Sequence, residues 1–113
     1  MSVALQKELV RAAENLGLEV IAPYTFELPS GLQLNADALF PELGAPKGTI
    51  VVALRKAAPS VAHELHAIGY TMSSMSEPIK GQDFDLDSYR EMFKEWGWSS
   101  EARERPSWLV VAS

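Results

Sequence analysis

The chain contains no cysteine, which excludes a disulfide framework, a thiolate metal site and a cysteine nucleophile. It has no apolar stretch long enough to cross a membrane or to act as a secretory signal, so we expect a cytoplasmic protein without a membrane segment. Basic residues are in the minority, because ten lysines and arginines stand against fifteen acids, for a formal net charge of −5. A surface of that sign repels phosphate backbones and argues against nucleic acid as the partner.

What is present is an ordinary globular composition, with 47% apolar and 22% charged residues. The 113 residues are enough for one domain with its own hydrophobic core. No internal repeat or low-complexity tract divides the chain. We therefore predict a single domain that spans residues 1–113.

The clearest structural signal is the charge-free run Thr49–Leu54, which follows Gly48 and is rich in valine and isoleucine. A run of this length is too short for an isolated helix and is typical of a strand covered on both faces. We predict that it forms the central strand of a sheet, with other elements packed above and below it.

Amphipathic periodicity predicts three helices around this strand, each followed by a glycine. They cover Ser2–Leu16, Pro59–Ile68 and Leu86–Trp96. Asp83 or Asp85 is expected to cap the third helix. A short helical turn is predicted after the third helix, from Ser99 or Ser100 to Pro106.

The remaining strands are predicted from alternation and from turn residues. A hairpin is predicted from Leu18–Leu28 and Leu32–Phe40. After the second helix, Tyr70–Met75 is predicted to run parallel to the central strand, joined to it by a crossover connection. The last strand, Ser107–Ala112, is predicted to be an edge strand or a tail that docks on the domain. The predicted fold class is α+β, a mixed sheet of four or five strands with helices packed on it, in the order α-β-β-β-α-β-α(-β).

Two patterns resemble metal motifs but depart from them at deciding positions. His63 and His66 lie three apart, whereas the zincin pattern needs histidines four apart. Asp83, Asp85 and Asp87 alternate as in a calcium loop, but the glycine and the final glutamate of that loop are both missing. We therefore predict no metal site and no other cofactor.

The predicted order from residue 3 to residue 75 is helix, two-stranded hairpin, central strand, helix and strand, with Glu8 on the first helix and Asp37 on the second strand. This order resembles the core of the restriction-endonuclease-like, or PD-(D/E)xK, nucleases. The resemblance implies a divalent-metal site made by Glu8, Asp37 and an E-x-K sequence on the third strand. Ala53 stands in place of that acid and Arg55 in place of that lysine, so one metal ligand is missing. We predict no magnesium- or manganese-dependent cleavage of DNA or RNA.

The third predicted helix carries a like-charged stripe opposite its apolar face. Asp87, Glu91 and Glu95 are spaced four apart, and each neighbouring pair costs about 0.2–0.5 kcal/mol in an isolated helix. Helical phase places Trp96 inside and leaves Trp98, just beyond the helix, free. An acidic stripe steers a basic partner, and tryptophan is favoured at binding hot spots. We predict that Asp87, Glu91, Glu95 and Trp98 form a surface that binds another protein.

The protein resembles the bacterial toxin-immunity proteins in type only, because it is small and acidic and has no recognisable catalytic set. The sequence therefore favours a small acidic cytoplasmic protein that binds or inhibits another protein by direct contact. The alternatives are a divergent metal-dependent nuclease that uses Glu8 and Asp37, and a subunit of a larger complex.

Overall fold

The computed structural model describes residues 3–44, 47–79, 81–98 and 106–113. The α-helices in these ranges are α1 (Val3–Leu16), α2 (Pro59–Ala67) and α3 (Leu86–Glu95). The strands are β1 (Tyr24–Glu27), β2 (Gln33–Ala36), β3 (Ala38–Phe40), β4 (Thr49–Ala53), β5 (Tyr70–Met75) and β6 (Ser107–Ala112). The predicted α+β class is confirmed, and the predicted element order is close to the observed one.

Four of the strands form the main sheet, in the order β3-β4-β6-β5. Strand β3 pairs antiparallel with β4, whereas β4 and β5 both run parallel to β6. The central position predicted for β4 is confirmed, because it has a partner on each side and all five of its residues are buried. Strands β4 and β5 are parallel, as predicted, although β6 lies between them.

The edge position predicted for β6 is wrong. This strand is hydrogen-bonded to β4 on one side and to β5 on the other. Its side chains enter both faces of the core, since Val110 belongs to one buried cluster and Leu109 to the other. The charge-free run Leu109–Ala112 is the same kind of signal that indicated a central position for β4.

Two buried clusters cover the two faces of the main sheet. On the α1–α3 face, helices α1 and α3 pack on the sheet through Leu5, Leu9, Phe93 and Trp96. On the hairpin–α2 face, the β1–β2 hairpin and α2 pack on it through Leu28, Leu34 and Leu65. The sheet is therefore the middle of three layers, which explains why β4 and β6 are apolar on both sides.

The second strand of the predicted hairpin is split at Asp37. Continuous alternation predicts one shared face for the apolar residues, yet Leu34 and Ala36 pack on the hairpin–α2 face while Ala38 and Phe40 pack on the α1–α3 face. Asp37 lies in the polar row of this alternation, which predicts a solvent-facing side chain, yet it is only 2% exposed. The chain leaves the two-stranded hairpin here and enters the main sheet as β3.

Local signals at the helix ends agree with the structure. Asp85 is the N-cap of α3, and its carboxylate accepts hydrogen bonds from the backbone N–H groups of Asp87 and Ser88. The predicted start of α1 at Ser2 and the helical turn predicted over residues 99–105 lie outside the described residues. Within the described ranges, no helix is both long enough and apolar enough to cross a membrane.

Candidate functional site

An open groove of about 510 Å³ runs between helix α3 and the end of strand β5. The helix contributes Asp87, Ser88, Glu91, Met92 and Glu95 to its lining, and the strand side contributes Ser74, Met75 and Ser76. All three acids of the predicted stripe therefore line the same groove. They border the exposed edge of the sheet, a neighbour that helical periodicity alone does not identify.

The rotation of α3 that produces this arrangement is set by its apolar residues. Tyr89, Phe93 and Trp96 are buried against α1 and the sheet, with exposures of 7%, 0% and 2%. Their burial leaves the acids at positions 87, 91 and 95 in solvent, beside the sheet edge.

The acids of the groove are only weakly neutralised. Asp87 pairs with Arg90, and Glu91 pairs with Lys94 at 3.6 Å. The side chains of Asp87 and Glu91 are 83% and 74% exposed, and ion pairs of this kind contribute about 0–1 kcal/mol. Glu95 makes no ion pair within the described part of the chain. A cationic partner can therefore approach this surface at little cost in broken contacts.

The N-terminus of α3 is held by a neighbouring carboxylate. The side chain of Asp85 accepts hydrogen bonds from the hydroxyl of Ser88 at 2.7 Å and from its backbone N–H at 3.3 Å. These bonds hold the pKa of Asp85 below its ordinary value. Asp85 is therefore ionised at neutral pH, close to the acids of the groove.

Trp98 is less accessible than predicted. Trp96 is buried as helical phase predicts, but Trp98 is partly buried and packs against the α1–α3 cluster. Its backbone N–H donates to the carbonyl of Phe93 at 2.9 Å, which holds the chain close to the end of α3. The indole is therefore a partly covered side chain and not a free anchor.

A second tryptophan, Trp108 on β6, lies near the Glu95 end of the groove and was missed by sequence reasoning. It lines a depression of about 270 Å³ together with Ser73, Glu95 and Trp96. The Nε1–H of Trp108 is buried and has no hydrogen-bond acceptor in the described part of the chain. No local pattern distinguishes this residue, because its position depends on the pairing of β6 with β5.

Glu8, the first candidate nuclease carboxylate, joins α1 to α3. Its Oε1 accepts a hydrogen bond from the hydroxyl of Tyr89 at 2.7 Å. Burial raises the pKa of Tyr89 above its ordinary value, and the hydrogen bond and charge of Glu8 raise it further. Glu8 also lines a cavity of about 380 Å³ that continues from the Met75 end of the groove.

Asp37, the second candidate, binds the backbone at the end of β4. Its Oδ2 accepts a hydrogen bond from the backbone N–H of Ala53 at 2.8 Å, and its Oδ1 lies 3.2 Å from Nζ of Lys56. Its own backbone N–H donates to the carbonyl of Val51 at 2.9 Å. The carboxylate therefore holds the point where the chain passes from β2 into β3.

The two candidate carboxylates have separate partners within the protein. Glu8 binds Tyr89, whereas Asp37 binds Ala53 and Lys56. In the ranges that the structure describes, no group of three or more acids and histidines is arranged to hold a metal ion.

No protein-family model, curated protein or solved structure matches this chain. The resemblances to the restriction-endonuclease-like nucleases and to immunity proteins therefore stay predictions from the sequence. Function is inferred from the groove beside α3 and from its charges.

Proposed function

We propose that this chain is a small binding or inhibitory protein of the bacterial cytoplasm, which acts by direct contact with a basic protein, as toxin-immunity proteins do. The observation that carries the proposal is the groove of Asp87, Glu91 and Glu95 beside the edge of the sheet. The absence of cysteine suits a reducing compartment.

The charges of the groove support a role in association. Like charges four residues apart on a helix destabilise it slightly, and Arg90 and Lys94 offset that cost only in part. Exposed acids on one surface attract a basic partner over several ångströms and speed its encounter. Met75 and Met92 supply flexible apolar contacts inside the same groove.

The divergent nuclease is the weaker proposal. The oxygens of Asp37 are engaged by Ala53 and Lys56, so a metal ion at that carboxylate would have to displace both contacts. A role as a subunit of a larger complex is the remaining alternative.

The test is a binding measurement with matched charge variants. The double variant Glu91→Lys with Glu95→Lys replaces two of the three acids of the groove, while Glu14→Lys with Glu27→Lys makes the same change in net charge at exposed sites on α1 and β1. The partner is sought first among the products of neighbouring genes, is purified, and is measured by stopped-flow or surface-based kinetics at several salt concentrations.

We expect the groove variant to associate about tenfold or more slowly at low salt, with little change in dissociation. The control variant should associate nearly as fast as the wild type, and the thermal unfolding of both variants should be unchanged. Equal losses in the two variants would mean that only net charge matters, which would contradict the proposed site.

A further inference from the structure

Strand β5 is an edge of the main sheet in the described part of the chain. It pairs with β6 on one side through the whole of Tyr70–Met75. It contains no proline and no charged residue, which are the usual means of blocking a strand edge. Thr71, Met72 and Ser74 are exposed along it. This edge therefore has the properties of a strand that accepts another strand.

The hydrogen bonds at the end of β5 show which backbone groups face outward. The N–H of Ser113 donates to the carbonyl of Met75 at 3.1 Å, and the N–H of Glu77 donates to the carbonyl of Ser113 at 3.0 Å. In a parallel ladder, alternate residues of a strand direct their backbone groups to the same neighbour. Met75 and Glu77 therefore face β6, while the N–H and C=O groups of Met72 and Ser74 point away from the sheet.

The groove lies on one side of this edge, and α3 runs along it in the opposite direction to β5. Glu95 and Ser73 line the same depression, whereas Ser88 and Glu77 line the same cavity. Acids four apart on a helix are separated by about 6 Å along its axis. Side chains two apart on a strand are separated by about 6.6 Å. Alternate side chains of an added strand would therefore meet successive acids of the groove.

We propose that the partner presents an extended basic segment that pairs with β5 as an additional strand and places alternate lysine or arginine side chains along Asp87, Glu91 and Glu95. This inference rests on the proposed function and specifies how the partner is recognised. Backbone hydrogen bonds to Met72 and Ser74 supply affinity, and the acids select a basic sequence.

Charge favours this occupant over a second copy of the chain. If β5 paired antiparallel with β5 of another copy, the two α3 helices would lie on the same face, on either side of the shared edge. Their acids would then repel one another beside the new pair of strands. A basic segment brings charges of the opposite sign to the same place.

The first test uses a variant that changes the outer edge of β5 alone. Ser74→Pro removes an N–H group that points away from β6, and proline is tolerated on an edge strand when its missing N–H faces solvent. Ser74→Thr keeps the N–H and is the matched control. The probe is a capped heptapeptide with lysine at every second position and threonine or valine between, together with a version in which glutamate replaces lysine.

We expect the lysine peptide to bind the wild type, and the glutamate peptide not to bind. Ser74→Pro should weaken binding of the lysine peptide by about tenfold or more, while Ser74→Thr leaves it unchanged. Amide exchange of the wild type provides a second measurement that needs no variant. Exchange at Met72 and Ser74 should slow when the lysine peptide is added.

Several outcomes would overturn the inference. Slow exchange at Met72 and Ser74 in the free monomer would mean that the chain covers its own edge, and slowing with protein concentration would identify a second copy as the occupant. Peptide binding that depends on Glu91 and Glu95, without amide protection and without an effect of Ser74→Pro, would refute strand addition while leaving the proposed function intact. Partner binding that is indifferent to Glu91→Lys with Glu95→Lys would instead refute the proposed function.

Discussion

Replacement of Asp37 by alanine should destabilise the domain by about 1–4 kcal/mol, although the residue makes no contribution to the apolar core. The carboxylate is 2% exposed and accepts the backbone N–H of Ala53 at 2.8 Å. Alanine leaves that buried N–H without its acceptor, which costs about 1–3 kcal/mol. The side chain of Lys56 is 35% exposed and can be hydrated again, so the loss of its ion pair adds at most about 1 kcal/mol.

Asp37→Asn is the matched control, because the amide oxygen can still accept from the N–H of Ala53. We expect a loss of about 1 kcal/mol for this variant, mainly from the weakened contact with Lys56. Urea unfolding followed by tryptophan fluorescence and by circular dichroism measures both free energies. A decrease in the free energy of unfolding of less than about 0.5 kcal/mol for Asp37→Ala would refute the conclusion that this carboxylate stabilises the end of β4.

The asparagine variant also tests the nuclease alternative, since it should remain folded. We expect no cleavage of DNA or RNA by the wild type with magnesium or manganese ions. Cleavage that disappears in Asp37→Asn would contradict this prediction and would favour the nuclease.

Three further predictions concern stability. Val52→Asp should prevent folding, because it places a charge without a partner in the buried strand β4. In the wild type, the backbone amides of β4 should exchange more slowly than those of any other segment. The pKa of Tyr89 is raised from its ordinary 10.0, so the neutral phenol stabilises the folded state fully below about pH 10 and progressively less as the pH rises further. Tyr89→Phe should therefore make the fall in the urea midpoint above pH 10 less steep. Gly44→Ala should lower the unfolding temperature measured by calorimetry more than Gly31→Ala does. Both glycines have positive φ, but a Cβ at Gly44 would overlap the carbonyl oxygen of Pro106, whereas one at Gly31 meets nothing within 4 Å.

The acids of the candidate site were identifiable from the sequence, but their surroundings were not. Spacing alone places Asp87, Glu91 and Glu95 on one side of a helix. Their position beside β5 depends on how α3 packs against the sheet, which involves residues far away in the chain. The same reason explains why Trp98 is partly covered and why Trp108 was missed, since both depend on tertiary contacts.

The features predicted correctly from the sequence are those that depend on near neighbours: the three helices, the buried strand β4, the strand Tyr70–Met75 and the cap at Asp85. Apolar periodicity, capping and glycine at positive φ act within a few residues, so they are visible in a short segment. Strand β6 was predicted at an edge although its run is as free of charge as that of β4, because short apolar runs do not specify which strands pair.

Long-range packing specifies the strand order, the split of the chain at Asp37 and the partners of the buried Asp37 and the partly buried Glu8. The alternating pattern predicts that Asp37 faces solvent, yet the N–H of Ala53, sixteen positions later, makes its burial possible. Glu8 meets the hydroxyl of Tyr89 across 81 positions. A polar group can be buried only where a partner satisfies it, and partners so distant are brought together by the packing of whole helices and strands.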